Sequence, residues 1–180
     1  AIEEKGPCNI VDLGSGLSTL YIAALFRKLK AGKVYSVDHD ADYMSRTKSI
    51  VLSNELESYV NFLHASIKEV HVDGWPKIKK WYDEDMLQSI PDVDVLIIDG
   101  PPKDTYNLAR LAALPCLWGK LKSDCIILFD DFCRSDEQEI YNIWAEEFDI
   151  VEECRLMEGT GQVIFRKNGN KNLQRCQQSL

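Results

Sequence analysis

Apolar positions along the chain follow two different spacings. Short apolar runs bounded by charged residues or glycine predict strands, and segments with apolar residues three or four positions apart predict helices. Strands and helices alternate, which predicts an α/β domain with a parallel sheet between two layers of helices. The predicted strands are 9–13, 33–38, 59–64, 94–99 and 124–130, and the predicted helices are 18–30, 42–56, 104–117 and 135–148.

The pattern changes near the end of the chain. Two strands over 150–155 and 162–166 are separated only by a short loop that contains Gly159 and Gly161, so they predict an antiparallel hairpin. One strand of that hairpin joins the sheet antiparallel to the strands before it. The remaining segment, 67–91, predicts an irregular insert with one helix.

Capping side chains mark two of the predicted helix starts. Asp40 or Asp42 is placed to cap the second helix. Ser135 and Gln138 have the spacing of a capping box for the last one.

Aromatic residues are concentrated in the insert, at Trp75, Trp81 and Tyr82. We favour packing anchors for these side chains, because large aromatic groups usually serve that purpose. The alternative is that they line a pocket for a substrate.

Composition narrows the class of protein. With 45% apolar and 28% charged residues, the chain predicts one globular domain over residues 1–167 and a polar tail over 168–180. The formal net charge of −8 argues against general affinity for nucleic acid or anionic membranes. No apolar run approaches the ~18 residues that span a bilayer. Six cysteines without a CxxC pair predict reduced, buried thiols in a cytoplasmic protein.

The turn after the first predicted strand has the composition of a ligand-binding turn. Ligands in sheets of this kind bind beyond the carboxyl ends of the strands. The sequence there is Asp12-Leu13-Gly14-Ser15-Gly16-Leu17-Ser18-Thr19, in which two glycines allow close approach of a ligand and Ser18 and Thr19 can cap the next helix. A dinucleotide fingerprint requires a third glycine where Thr19 stands, so the pyrophosphate motif is incomplete.

The second predicted strand ends in an acid at the position typical of nucleoside recognition. Asp38 lies roughly 20 residues after the glycines, where an acidic side chain binds ribose hydroxyls in related sheets. We therefore interpret Asp38 as a ribose ligand and Asp40 as a helix cap. The neighbouring His39 either borders an adenine or is a surface histidine. Together with the glycine turn, Asp38 predicts a ligand that contains adenosine.

These motifs resemble those of class I S-adenosylmethionine-dependent methyltransferases. The similarity covers about residues 9–167, and Val37-Asp38-His39-Asp40 with the glycine turn is most similar to a branch that includes small-molecule O-methyltransferases. The resemblance implies a Rossmann-like, mostly parallel sheet of about seven strands in the order 3-2-1-4-5-7-6, with the last strand antiparallel. It also implies S-adenosylmethionine as the cofactor and a small molecule as the methyl acceptor.

The resemblance further implies which residues contact the cofactor. The glycine turn would hold its methionine end, Asp38 its ribose, and a residue just after the third strand its adenine. Because this cofactor has no pyrophosphate, the missing third glycine is not a defect. The predicted cofactor-binding residues are Asp12, Gly14, Ser15, Gly16, Ser18, Thr19, Asp38, His39, Ser66 and Asp99.

Acidic residues after the fourth and fifth predicted strands suggest a metal site. O-methyltransferases that resemble catechol O-methyltransferase place metal ligands at the positions of Asp99, Asp130 and Asp131. We therefore predict Mg²⁺ as a candidate cofactor on these carboxylates, because it prefers hard oxygen ligands. The sequence departs from that group at Asp131, where Asn is usual, and at Pro101-Pro102. A solvated strand end is the alternative for Asp130 and Asp131.

The same resemblance places Asp99 at the reacting centre. Lys103 is a candidate general base beside it, and an exposed loop charge is the alternative. The predicted catalytic residues are thus Asp99 and Lys103.

Other functions remain open on the sequence alone. A nicotinamide-dependent oxidoreductase is disfavoured by Thr19 and by the final hairpin. A non-catalytic cofactor-binding domain would keep the fold without an acceptor site, and an aminopropyl transferase would use the same fold. Self-association and the identity of the acceptor are also open.

Overall fold

The computed structural model describes residues 8–168 of the chain. Within this range the strands are β1 (Asn9–Leu13), β2 (Lys33–Asp38), β3 (Val60–His64), β4 (Ile67–Glu69), β5 (Lys80–Tyr82), β6 (Val93–Ile98), β7 (Leu121–Asp130), β8 (Ile150–Leu156) and β9 (Gln162–Lys167). The helices are α1 (Leu17–Leu29), α2 (Ala41–Ser53), α3 (Glu84–Leu87), α4 (Ala113–Leu117) and α5 (Ser135–Glu147), with 3₁₀ turns at Glu57–Tyr59, Lys103–Thr105 and Trp118–Lys120. Apart from Asn168, the tail predicted over 168–180 lies outside the described residues.

Seven strands form one sheet in the order β3-β2-β1-β6-β7-β9-β8. Strands β4 and β5 pair separately, so the sheet strands taken alone have the predicted order 3-2-1-4-5-7-6. β9 runs antiparallel to β7 and β8, and the pairs from β3 to β7 are parallel. The predicted doubly wound α/β fold is confirmed.

The centre of strand β1 is apolar because the strand is covered on both faces. Ile10 and Val11 are adjacent, point to opposite faces and are fully buried. The Ile10 face packs against α1 and α2 through residues such as Phe26. The Val11 face packs against α4, the insert and α5, and Trp144 of α5 is fully buried there. This packing fixes the strand ends that carry the candidate site.

The segment after β6 differs from the prediction. A helix was expected over 104–117, but α4 covers only Ala113–Leu117. Leu108 has a φ of 54°, a left-handed conformation that interrupts a helix. The irregular backbone buries Leu108 and Arg110, and it turns the Arg110 side chain toward the ends of β6 and β7.

Helix capping was predicted correctly for α2 and wrongly for α5. The Asp40 carboxylate accepts a hydrogen bond of 2.8 Å from the Tyr43 N–H. The capping box at Ser135 does not form, because Arg134 is the N-cap residue and makes no side-chain cap. Gln138 instead donates to the Phe132 carbonyl at 3.1 Å.

The insert contains the predicted helix, α3, together with a β4–β5 hairpin that was not predicted. Trp81 and Tyr82 are buried, which supports the packing interpretation for these two residues. Trp75 stacks on Phe148 with a centroid distance of 5.5 Å.

The thiols are only partly as predicted. No disulfide joins any two of the five described cysteines. Cys8 and Cys125 are buried, whereas Cys133 and Cys154 are exposed, contrary to the prediction of buried thiols. Among residues 8–168, the structure contains no helix that combines the length and the apolar character needed to cross a bilayer.

Gly32 closes the turn between α1 and β2, and its replacement tests the packing of that layer. Its φ is +106°, and an added Cβ would collide with the Phe26 ring. We expect Gly32→Ala to lower the free energy of unfolding by about 1–3 kcal/mol in chemical denaturation. Gly119→Ala is the matched control, because nothing lies within 4 Å of its added Cβ. Equal stability of the two variants would contradict this packing.

Candidate active site

Four adjacent parallel strands carry acidic residues at their carboxyl ends. Asp12 lies near the end of β1, Asp38 ends β2, Asp99 follows β6 and Asp130 ends β7. Because β2, β1, β6 and β7 are neighbours in the sheet, these residues meet at one edge. The structure thus brings together the acids that the sequence placed in one site.

The glycine turn is tied to both neighbouring strands. The Gly14 N–H donates to the Val37 carbonyl at 2.8 Å, and the Asp99 N–H donates to the Leu13 carbonyl at 3.0 Å. Gly14 has a φ of +114°, and its Cβ would contact the Asp99 carbonyl carbon at 3.4 Å. A side chain at Gly14 would therefore strain the turn and crowd the end of β6.

Asp12 is buried beneath this turn and is held by hydroxyl groups. One carboxylate oxygen accepts from Ser18 Oγ at 2.8 Å and from Thr19 Oγ1 at 2.6 Å. The other oxygen is buried and has no hydrogen-bond partner. Loss of hydration raises the pKa of Asp12 to about 7. The carboxyl group is therefore suited to hold either a proton or a cationic partner.

This arrangement corrects the predicted role of Ser18 and Thr19. They were expected to cap α1, but the N-cap residue is Gly16, which makes no side-chain cap. Their hydroxyls point back to Asp12, and Thr19 also contacts Ser36 Oγ at 3.0 Å. Ser18 and Thr19 thus position Asp12 from below the turn.

Asp38 joins the turns after β1 and β2. One of its oxygens accepts from the Ser15 N–H at 2.8 Å, and the other accepts from the Asp40 N–H at 3.0 Å. His39 Nδ1 lies 3.2 Å from the second oxygen without making a hydrogen bond. Ser66, the candidate beside adenine, is exposed two residues beyond β3 and close to this edge.

Arg110 occupies the space between β6 and β7, and it is only 3% exposed. Its Nη2 lies 3.2 Å from Asp99 Oδ1 and 2.8 Å from Asp131 Oδ2. Its Nη1 lies 3.8 Å from Glu137 Oε1. The guanidinium also donates to the carbonyls of Asp99 and Asp130, at 2.7 Å and 3.1 Å. We call Arg110, Asp99, Asp131 and Glu137 the arginine–carboxylate cluster.

Asp99 is the accessible carboxylate of that cluster. Its side chain is 47% exposed, against 9% for Asp131 and 3% for Glu137. Partial burial raises the pKa of Asp99 to about 6, although Arg110 opposes the rise. Asp99 can therefore contact a ligand while Arg110 holds one side of it.

Tyr82 of the insert reaches the same edge. A Cβ on Gly100, the residue after Asp99, would lie 2.5 Å from the Tyr82 hydroxyl, so Gly100 leaves room for this side chain. Burial raises the pKa of Tyr82 well above its usual range, so the hydroxyl keeps its proton. Tyr82 brings the insert into the site.

The donors present do not fit the predicted Mg²⁺ site. Asp131 Oδ2 is already bound by Arg110 and, at 2.6 Å, by Arg134. Asp130 Oδ1 accepts from the Asp131 N–H at 2.8 Å. No group of three or more metal-ligating side chains among residues 8–168 could hold a metal ion. Mg²⁺ on Asp99, Asp130 and Asp131 stays a prediction that this side-chain arrangement does not support, because a guanidinium lies between Asp99 and Asp131.

Lys103, the predicted general base, lies in the 3₁₀ turn after β6 and is exposed. Sequence reasoning missed Arg110, and for Tyr82 it favoured packing over a role in a pocket. A charged residue inside the apolar run Leu108-Ala109-Arg110-Leu111-Ala112 was a usable signal, because a buried arginine requires an acidic partner.

A family model described as a methyltransferase domain matches residues 11–132, which include most of this site. The chain belongs to this methyltransferase family. The predicted class I S-adenosylmethionine-dependent methyltransferase is thereby confirmed. No curated protein sequence matches the chain.

Solved structures support the fold of this methyltransferase domain. SAH-bound methyltransferase PaMTH1 from Podospora anserina is 16% identical, with a TM-score of 0.68 and coverage of 92% of this chain and 74% of that one. The O-methyltransferase from Bacillus cereus, in complex with SAH, is 14% identical, with a TM-score of 0.66 and coverage of 93% and 77%. A methyltransferase from Geobacter sulfurreducens is 17% identical, with a TM-score of 0.64 and coverage of 91% and 73%.

The buried Asp12 predicts how stability depends on pH. Its pKa is about 7 in the folded protein, against 3.8 as the usual value, so the folded state retains a proton that the unfolded state loses. The stabilisation that protonated Asp12 provides is therefore present at acidic pH and is lost as the pH rises through about 7. Between pH ~5 and ~8, we expect the wild type to lose on the order of 2 kcal/mol relative to Asp12→Asn.

Chemical denaturation of both proteins across that range measures the difference. Asp73→Asn is the control, because the Asp73 carboxylate is 99% exposed. Parallel stability curves for the wild type and Asp12→Asn would contradict the burial of an ionisable Asp12.

Proposed function

We propose that the chain transfers a methyl group from S-adenosylmethionine to a hydroxyl oxygen of a small molecule. The observation that carries the proposal is the half-exposed Asp99 carboxylate, held by Arg110 beside the glycine turn. Similarity in fold to the Bacillus cereus O-methyltransferase supports an oxygen acceptor. Mg²⁺ assistance is not part of the proposal, because the donor set does not fit a metal.

The residues at the ends of β1 and β2 fit the cofactor. The unpartnered oxygen of Asp12 is an acceptor that suits the ammonium of the amino-acid end, and Gly14 and Gly16 leave the turn open. Asp38 uses each oxygen for one backbone N–H, and the remaining lone pairs suit ribose hydroxyls. His39 and Ser66 adjoin Asp38 on the side assigned to adenine. When bound, the cofactor supplies a methyl group on a sulfonium.

Asp99 is the candidate base for the acceptor. A hydroxyl is a weak nucleophile, and a positioned carboxylate that accepts its proton during attack accelerates the reaction. The Arg110 contact at Oδ1 orients the Asp99 carboxylate, and Asp99 Oδ2 makes no hydrogen bond or ion pair with the described residues. Fixed orientation of the base and acceptor supplies much of the acceleration in a displacement reaction.

Calorimetric titration of the full chain with S-adenosylmethionine, S-adenosylhomocysteine and NAD tests the cofactor class. We expect the two sulfur nucleotides to bind and NAD not to bind. Binding of NAD alone would overturn the proposal. Binding of the sulfur nucleotides without turnover on any acceptor would favour a non-catalytic domain.

Asp38 is expected to set cofactor affinity. Asp38→Ala removes the acceptor assigned to the ribose, and we expect the affinity for S-adenosylhomocysteine to fall at least ~10-fold. Asp42→Ala, at an exposed acid four residues away, is the matched control. A melting curve shows whether each variant is folded. Unchanged affinity in a folded Asp38→Ala protein would contradict the ribose assignment.

We expect replacement of Asp99 and replacement of Lys103 to have different effects on the rate of turnover. Formation of S-adenosylhomocysteine with a panel of hydroxylated small molecules identifies an acceptor and then measures the rate. We expect Asp99→Asn to lower kcat by about 10²–10⁴-fold while retaining cofactor binding. Lys103→Met tests the predicted base role of Lys103. A large loss in Lys103→Met with full activity in Asp99→Asn would transfer that role to Lys103.

A further inference from the structure

We infer that the Arg110 guanidinium takes the place of the divalent cation of metal-dependent O-methyltransferases, so that methyl transfer by this chain needs no metal. The inference rests on the proposed function, because it concerns the acceptor side of the same site. Its basis is the geometry of the arginine–carboxylate cluster.

The guanidinium is a fixed cation and not a mobile surface charge. Arg110 is 3% exposed, and its Nη2 lies between Asp99 Oδ1 and Asp131 Oδ2, at 3.2 Å and 2.8 Å. Nη2 also donates to the Asp99 carbonyl, while Nε donates to the Pro101 carbonyl and Nη1 to the Asp130 carbonyl. These contacts come from the ends of both β6 and β7, so the guanidinium is held in one position.

Among residues 8–168, no three side chains are grouped as ligands for Mg²⁺. This ion requires near-octahedral oxygen ligands at about 2.0–2.1 Å, and Nη2 already lies between Asp99 and Asp131. Arg134 donates to the same Asp131 oxygen at 2.6 Å. Asp130 accepts from the Asp131 N–H at 2.8 Å and from the Gln162 side chain at 3.3 Å. A metal ion placed between Asp99 and Asp131 would have to displace a buried arginine.

A buried guanidinium affects the methyl acceptor differently from a metal ion. A catalytic metal ion polarises the oxygen that it binds directly. Arg110 acts only through Asp99, so a single hydroxyl beside Asp99 is sufficient. In the transfer, the methyl–sulfur bond breaks, the methyl–oxygen bond forms, sulfur keeps the electron pair and the hydroxyl proton passes to Asp99. The step balances without a metal.

Titration of the wild-type chain with Mn²⁺ tests the inference and requires no acceptor. Electron paramagnetic resonance measures free Mn²⁺ in the presence of S-adenosylhomocysteine, and calorimetry on the same sample measures nucleotide binding. We expect no Mn²⁺ site with a Kd below ~0.1 mM in the wild type or in Asp131→Asn. A stoichiometric site that disappears in Asp131→Asn would overturn the inference. Failure of nucleotide binding would instead contradict the proposed function.

A second test removes the cation. In Arg110→Ala, buried Asp131 and Glu137 lose a partner, so we expect the melting temperature to fall by several degrees and to recover partly in MgCl₂. Arg166→Ala removes a half-exposed arginine paired with Glu153 and is the control, with no response to Mg²⁺. Equal melting temperatures for the two variants would overturn the inference. If Arg110→Ala does not fold, the Mn²⁺ titration of the wild type still tests the inference.

Discussion

Buried negative charge at one edge of the sheet is the constraint on which this structure depends. Asp12, Asp38, Asp131 and Glu137 are all buried, and an uncompensated carboxylate there is costly. Hydroxyls compensate Asp12, backbone N–H groups compensate Asp38, and Arg110 compensates the other two. The compensating groups come from the start of α1, from the turns after β1 and β2, and from the irregular segment before α4. The hydrogen bonds that allow the acids to be buried therefore also hold the turns in place, and Asp99 remains the accessible acid of the arginine–carboxylate cluster.

The sheet could be predicted because each strand carries its own signal. Apolar runs such as 94–99 are typical of strands covered on both faces, and two strands joined by a short loop are typical of a hairpin. The segments 104–117 and 67–91 could not be predicted in the same way. Tertiary contacts decide the conformation of both segments. Leu108 adopts a left-handed φ, and Trp81 is buried although its strand has only three residues. Local secondary-structure propensity carries no information about those contacts.

The acidic residues of the candidate site could also be predicted, because the carboxyl ends of adjacent parallel strands must meet. What occupies the space between them could not. Ser18 and Thr19 are residue types that commonly cap helices, but their hydroxyls donate to the buried Asp12 carboxylate instead. Asp99, Asp130 and Asp131 have the composition of a Mg²⁺ site, but Arg110 enters from an irregular segment whose path the sequence does not reveal. Acid positions follow from topology, whereas their partners follow from packing.

A crystal structure of the full chain grown with S-adenosylhomocysteine and MgCl₂ tests the central claim most directly. The account predicts the ribose against Asp38, the amino-acid end at the glycine turn, and the Arg110 guanidinium still between Asp99 and Asp131. A nucleoside bound away from the ends of β1 and β2, or Mg²⁺ on Asp99 and Asp131 with Arg110 displaced, would contradict it.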